Sequence, residues 1–101
     1  MEIINTIGRR KTSVARIHVA PGKGKIFVNN QPVEEYFPSE ILQIIINQPL
    51  VIVEAKGKYD IKANVDGGGI KGQAEAIRLA ISRALCEMDV EHRPALKRKA
   101  S

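Results

Sequence analysis

The sequence predicts a single α+β domain with two helices packed on a mostly antiparallel sheet, and three observations carry that prediction. Residues 13–20 and 59–65 alternate apolar and polar side chains with the period of a half-buried strand. Residues 72–88 place apolar side chains at three- and four-residue steps, the period of an amphipathic helix. Turn-forming residues separate the segments, and their order reads β-β-α-β-β-α. At 101 residues the chain can bury a core without disulfides or a metal. With no Trp, two Tyr and two Phe among 44% hydrophobic residues, that core is aliphatic. We place the globular domain at residues 1–90 and read residues 91–101 as a basic C-terminal extension.

The first strand is Ser13–Ala20, in which Ala15, Ile17 and Val19 alternate with Arg16 and His18. Pro21-Gly22-Lys23-Gly24 supplies turn chemistry and Lys25–Asn29 resumes an extended path, which predicts a β-hairpin with a basic tip. Gln31–Phe37 is a polar connector with a short helical turn. Pro38-Ser39-Glu40 starts a helix with Ser39 as its N-cap and Glu40 favoured by the helix dipole. Ile41, Leu42, Ile44 and Ile45 would cover the buried face of this helix, and Pro49 would end it. The run Ile44-Ile45-Ile46 is also compatible with a strand. Leu50–Ala55 is strongly β-prone and, across the break Lys56-Gly57-Lys58, pairs with Tyr59–Val65 as a second hairpin with one polar face. The last helix runs from Gly72 to Met88, with Lys71, Glu75, Arg78 and Ser82 on its outer face.

Net charge is +5 and unevenly spread. Residues 1–30 carry Arg9, Arg10, Lys11, Arg16, Lys23 and Lys25 against Glu2; the middle is mildly acidic; residues 91–101 carry Arg93, Lys97, Arg98 and Lys99 against Glu91. Basic ends around an acidic middle point to a polyanionic partner, since each neutralised phosphate releases a counterion. No apolar run reaches the ~18 residues of a membrane span, and Met1-Glu2-Ile3 lacks the basic start of a signal peptide, so a cytoplasmic location without membrane contact is expected. Cys86 falls inside the apolar pattern of the last helix and is expected to be buried and inert.

The run Gly67-Gly68-Gly69-Ile70-Lys71-Gly72-Gln73 lies between a strand and a helix. It matches the spacing of a dinucleotide-binding turn, yet the strand before it alternates with charges instead of being apolar throughout, and too little chain follows for further βα units. A Walker loop fails because no Gly-Lys-Ser/Thr follows. Two readings stay open in equal measure: an anion site where helix amides and Lys71 meet a phosphate, or a tight turn whose glycines allow close packing. A nucleotide-binding or phosphotransfer enzyme using Gly67–Gly72 is the alternative function. No catalytic or metal-binding set emerges: His18 and His92 have no ligand spacing, Asp60, Asp66 and Asp89 form no pair on one element, and Ser13 and Ser39 have no local base. Thr12 and Ser13 fit phosphate or sugar contacts beside the basic cluster.

The segment Gly67-Gly68-Gly69-Ile70-Lys71-Gly72-Gln73-Ala74-Glu75-Ala76-Ile77-Arg78-Leu79-Ala80-Ile81-Ser82-Arg83-Ala84-Leu85 resembles the signature of the S-nine family, the ninth protein of the small ribosomal subunit. Gly8-Arg9-Arg10-Lys11-Thr12-Ser13-Val14-Ala15-Arg16 resembles the opening motif of that family, and Tyr36-Phe37-Pro38 and Asn47-Gln48-Pro49 fall at its other landmarks. The resemblance spans Ile3 to about Lys99. It implies a four-stranded sheet with helices on one face and a left-handed βαβ crossover, similar to the second domain of ribosomal protein S-five. It also implies a non-enzymatic, cofactor-free role, in which the protein binds ribosomal RNA of the small-subunit head beside neighbouring ribosomal proteins. Carried over, the RNA contacts are Arg9, Arg10, Lys11, Thr12 and Arg16, then Lys23 and Lys25, then Gly67, Gly68, Gly69, Lys71 and Gln73, with Arg78, Arg93, Lys97, Arg98 and Lys99 as weaker members. Similar proteins continue into a long basic tail that reaches transfer RNA. This chain stops at Ser101, so ribosomal RNA binding is the expectation carried over and transfer RNA contact is not.

Overall fold

In the computed structural model, residues 4–88 are described; the expectations for Asp89, His92, Arg93, Lys97, Arg98 and Lys99 lie outside them. The elements are β1 (Ile4–Arg10), β2 (Ser13–Pro21), β3 (Ile26–Val28), β4 (Gln31–Pro32), α1 (Val33–Tyr36), α2 (Glu40–Ile52), β5 (Tyr59–Asp66) and α3 (Ile70–Met88). The strands form one mixed sheet in the order β1-β2-β5-β3-β4. β1 and β5 flank β2, both antiparallel to it; β3 runs parallel to β5, and β4 is antiparallel to β3.

The α+β class holds, while the sheet departs from the expected four-stranded, mostly antiparallel arrangement in three ways. β1 is an additional strand, and the first hairpin is β1–β2 around Lys11-Thr12. Apolar alternation does not reveal β1 because, after Ile4, its buried inward residues are Thr6 and Gly8, with Asn5, Ile7 and Arg9 outward. The strand faces inward with small residues because α3 lies directly on it: a Cβ at Gly8 would fall 2.2 Å from the Ala76 carbonyl oxygen and 2.6 Å from the Ala80 nitrogen. Secondly, β2 and β3 do not pair with each other; β5 lies between them, bonded antiparallel to one and parallel to the other.

The third departure is the segment 50–55. α2 runs through Pro49 and takes up Leu50, Val51 and Ile52, so Leu50–Ala55 is not a strand. A proline inside a helix removes one hydrogen bond and crowds the carbonyl four residues back, at a cost of about 3 kcal/mol. Packing offsets that cost here, because Ile46, Pro49 and Leu50 are buried at helical spacing. Leu42 and Ile45 extend the same stripe partly buried, whereas Ile41 and Ile44, expected inside, are 71% and 68% exposed. Ser39 caps α2 as expected, its hydroxyl accepting from the Leu42 amide. α1 is the expected helical turn, and α3 begins two residues earlier than expected, at Ile70.

The inner face of the sheet presents Ala15, Ile17, Val19, Ile26, Val28, Ile61, Ala63 and Val65, all buried. α3 meets them with Ala74, Ile77, Ala80, Ile81, Ala84 and Leu85, and α2 packs on α3. Phe37 is fully buried, its ring edge-on to Tyr36 with centroids 4.8 Å apart. Cys86 is half-buried against this core. Because side chains alternate across a strand, the opposite face carries Arg9, Arg16, His18, Lys62 and Asn64, all exposed. No helix among the described residues is long and apolar enough to cross a membrane.

Candidate nucleic-acid interface

The β1–β2 turn and the glycine run form one joint. Lys11 sits in the left-handed region at φ 56°, as do Gly67 at 77° and Gly68 at 61°. A Cβ on Gly67 would stand 2.2 Å from the Thr12 carbonyl oxygen. One on Gly68 would stand 2.3 Å from Ser13 Oγ, and one on Gly72 2.9 Å from that same oxygen. The buried Ser13 hydroxyl donates to the Gly67 carbonyl at 3.0 Å. Three of the four glycines therefore serve an approach made by the chain itself, which is the packing reading of the run. Gly69 alone has open space around its Cα.

This joint gathers cations. It sets Lys11 and Thr12, both exposed, beside the first turn of α3, where Lys71 is exposed. Arg10 Nε donates to Glu75 Oε1 at 3.1 Å, an exposed ion pair that ties β1 to α3. That bond holds the Glu75 carboxyl below its ordinary range, with Lys71 and Arg78 adding to the effect through their charge. Arg78 itself turns toward α2 and donates to Gln48 Oε1 at 3.1 Å. Arg83 donates to the Ile7 carbonyl and covers part of the free edge of β1.

Gln73, expected to meet RNA, is engaged inside the molecule at both ends of its amide. Nε2 donates to the Gly67 carbonyl at 3.1 Å, and Oε1 accepts from the Tyr36 hydroxyl at 2.8 Å. Asn29 extends the chain of bonds: its side-chain amide donates to the Val65 carbonyl at 3.0 Å and accepts from the Val65 amide at 2.9 Å. The turn after β3, the end of β5 and the start of α3 are thus held by side-chain amides.

Lys23 and Lys25 lie beyond the end of β2 opposite Lys11, and β2 with its nine residues spans about 26 Å at ~3.3 Å per residue. They flank a tight turn built around Asp60 of β5. Its Oδ1 accepts from the amides of Lys23, Gly24 and Lys25 at 3.0, 3.1 and 3.0 Å. The amide bonds from Lys25 and then Lys23 hold this carboxyl below the usual carboxylate range. Spacing in the sequence could not reveal this role, because Asp60 lies 35 to 37 residues from the amides it holds. Arg16 occupies the middle of the line, exposed on the uncovered sheet face. Lys62, not singled out by the sequence reading, stands on that face opposite His18.

The fold and its surface define a class: a small α+β scaffold with one uncovered sheet face and basic turns at both ends of a central strand. The sequence profile of the family described as ribosomal protein S9/S16 matches residues 8–101, and the chain belongs to that family. It is similar to the small ribosomal subunit protein uS9 of Amoebophilus asiaticus (strain 5a2), 58% identical over 99 residues that cover 98% of this chain and 77% of the relative. It is also similar to the proteins of the same name from Porphyromonas gingivalis (strain ATCC 33277) and Parabacteroides distasonis (strain ATCC 8503). These are 54% and 55% identical over 97 residues, 96% of this chain and 76% of each relative.

Proposed function

We propose that this protein is a structural constituent of the small ribosomal subunit in the cytoplasm, binding ribosomal RNA of the subunit head beside neighbouring ribosomal proteins. Membership of the S9/S16 family along nearly the whole chain is the observation that carries this reading. Arg9, Arg10, Lys11, Thr12 and Lys71 would meet phosphates at one end of β2, Lys23 and Lys25 at the other, and Arg16 between them. Gly69 and the first amides of α3 add backbone donors at the joint. Gly67, Gly68, Gly72 and Gln73 contribute by fixing the geometry of that joint. Arg93, Lys97, Arg98 and Lys99 would add sequence-independent attraction. The parallel pairing of β3 with β5, joined through β4, α1 and α2, supports reading this connection as the crossover of the S-five-like fold. The enzyme alternative has no support in the family, whose relatives are small ribosomal subunit proteins. An epitope-labelled chain expressed in bacteria is expected to sediment in the small-subunit peak of a sucrose gradient at moderate salt. Recovery only at the top of the gradient would contradict the proposal.

A further inference from the structure

One line of side chains crosses the whole sheet on its uncovered face. Asn5 of β1, His18 of β2, Lys62 of β5, Phe27 of β3 and Pro32 of β4 are successive cross-strand partners. Asn5 and His18 are hydrogen-bonded to each other. Phe27 lies between buried Ile26 and Val28, so the pleat turns its ring away from the core, where it is 37% exposed. An exposed phenyl ring has no meaning alone. This one stands beside Lys62 on one side and Pro32 on the other, and directly opposed side chains in a sheet lie about 5 Å apart.

The charge of the face selects the partner. Arg9, Arg16 and Lys62 point outward from three adjacent strands, against Asp66. The other acid of β5 on this face, Asp60, is occupied by the amides of the 23–25 turn. An aromatic ring beside a cation suits a nucleotide whose base is free to stack, since every base has a π-face and its phosphate needs a counter-charge.

We infer that the uncovered sheet face takes an unpaired segment of RNA, with one base stacked on Phe27 and its backbone phosphate on Lys62. The inference rests on the RNA-binding reading above and adds a contact that neither the charge pattern nor the family signature includes.

The test compares F27L, F27Y and K62A with the unaltered protein in filter binding to RNA from the small-subunit head, across a salt series. F27L keeps the apolar volume and loses the ring face, so its affinity is expected to fall roughly tenfold while its salt slope stays the same. F27Y is expected to bind as the unaltered protein does, and K62A to lower the steepness of the slope by about 0.7. Ultraviolet irradiation of the complex is expected to crosslink RNA to the peptide carrying Phe27. Unchanged melting temperatures show that the variants fold. If F27L binds RNA with unchanged affinity, the inference is overturned and the RNA-binding reading stands. If the unaltered protein binds no RNA, both fall.

Discussion

Replacing Gly67 with alanine is expected to destabilise the domain by about 3 kcal/mol, lowering the thermal midpoint by roughly 10–20 °C for a domain of this size. Two physical terms add at this position. The backbone is in the left-handed region at φ 77°, where an L side chain costs about 1–2 kcal/mol. The new Cβ would also stand 2.2 Å from the Thr12 carbonyl oxygen, a backbone atom that can yield only if the β1–β2 turn moves. Two control substitutions separate the terms. At Gly57, φ is 87° and nothing lies within 4 Å, so alanine there reports backbone strain alone. At Gly69 the space is open and φ is not in the left-handed region, so alanine is expected to change stability by less than about 0.5 kcal/mol. Urea unfolding of the three variants measures each term. If G67A were no less stable than G69A, the packing joint between the glycine run and Thr12 would be disproved.

Gly8→Ala is expected to cost a similar amount, about 3 kcal/mol, through overpacking alone. Gly8 faces the backbone of α3, with Ala76 and Ala80 as the small residues that let the helix lie on β1. An added methyl would meet the Ala76 oxygen at 2.2 Å, the Ala80 nitrogen at 2.6 Å and the Ala80 Cα at 3.1 Å. The helix cannot withdraw freely, because Thr6 Oγ1 donates to the Ala80 carbonyl at 2.6 Å in a buried bond two residues away on the same strand. Denaturant unfolding with a reduced midpoint and unchanged slope is the expected signature. A midpoint equal to that of the unaltered protein would contradict the close contact of α3 with Gly8.

The parts of the fold legible in the sequence are those in which a single element carries its own pattern. β2, β5, α1, the Ser39 cap and α3 follow from alternation, capping chemistry and helical spacing. What stayed hidden depends on contacts between distant elements. β1 turns Thr6 and Gly8 inward because of a helix some 70 residues later, and no local periodicity signals that. Leu50-Val51-Ile52 is β-prone by composition and joins α2 because Ile46, Pro49 and Leu50 bury a common face. The parallel pairing of β3 with β5 depends on β5 inserting between β2 and β3, for which a Pro-Gly-Lys-Gly turn offers no warning. The same division applies to the candidate interface. The cations were legible as residue types, but their organisers were not. Asp60 on the 23–25 turn, Glu75 on Arg10 and Gln73 between Gly67 and Tyr36 all act across 6 to 65 residues of sequence.

Salt dependence of RNA affinity bears most directly on the proposal that this surface neutralises phosphates. In a filter-binding titration with ribosomal RNA of the small-subunit head, the logarithm of affinity is expected to fall linearly against the logarithm of salt with a slope of about −4 to −8, as roughly 5 to 9 phosphates are neutralised. A slope near zero would contradict it.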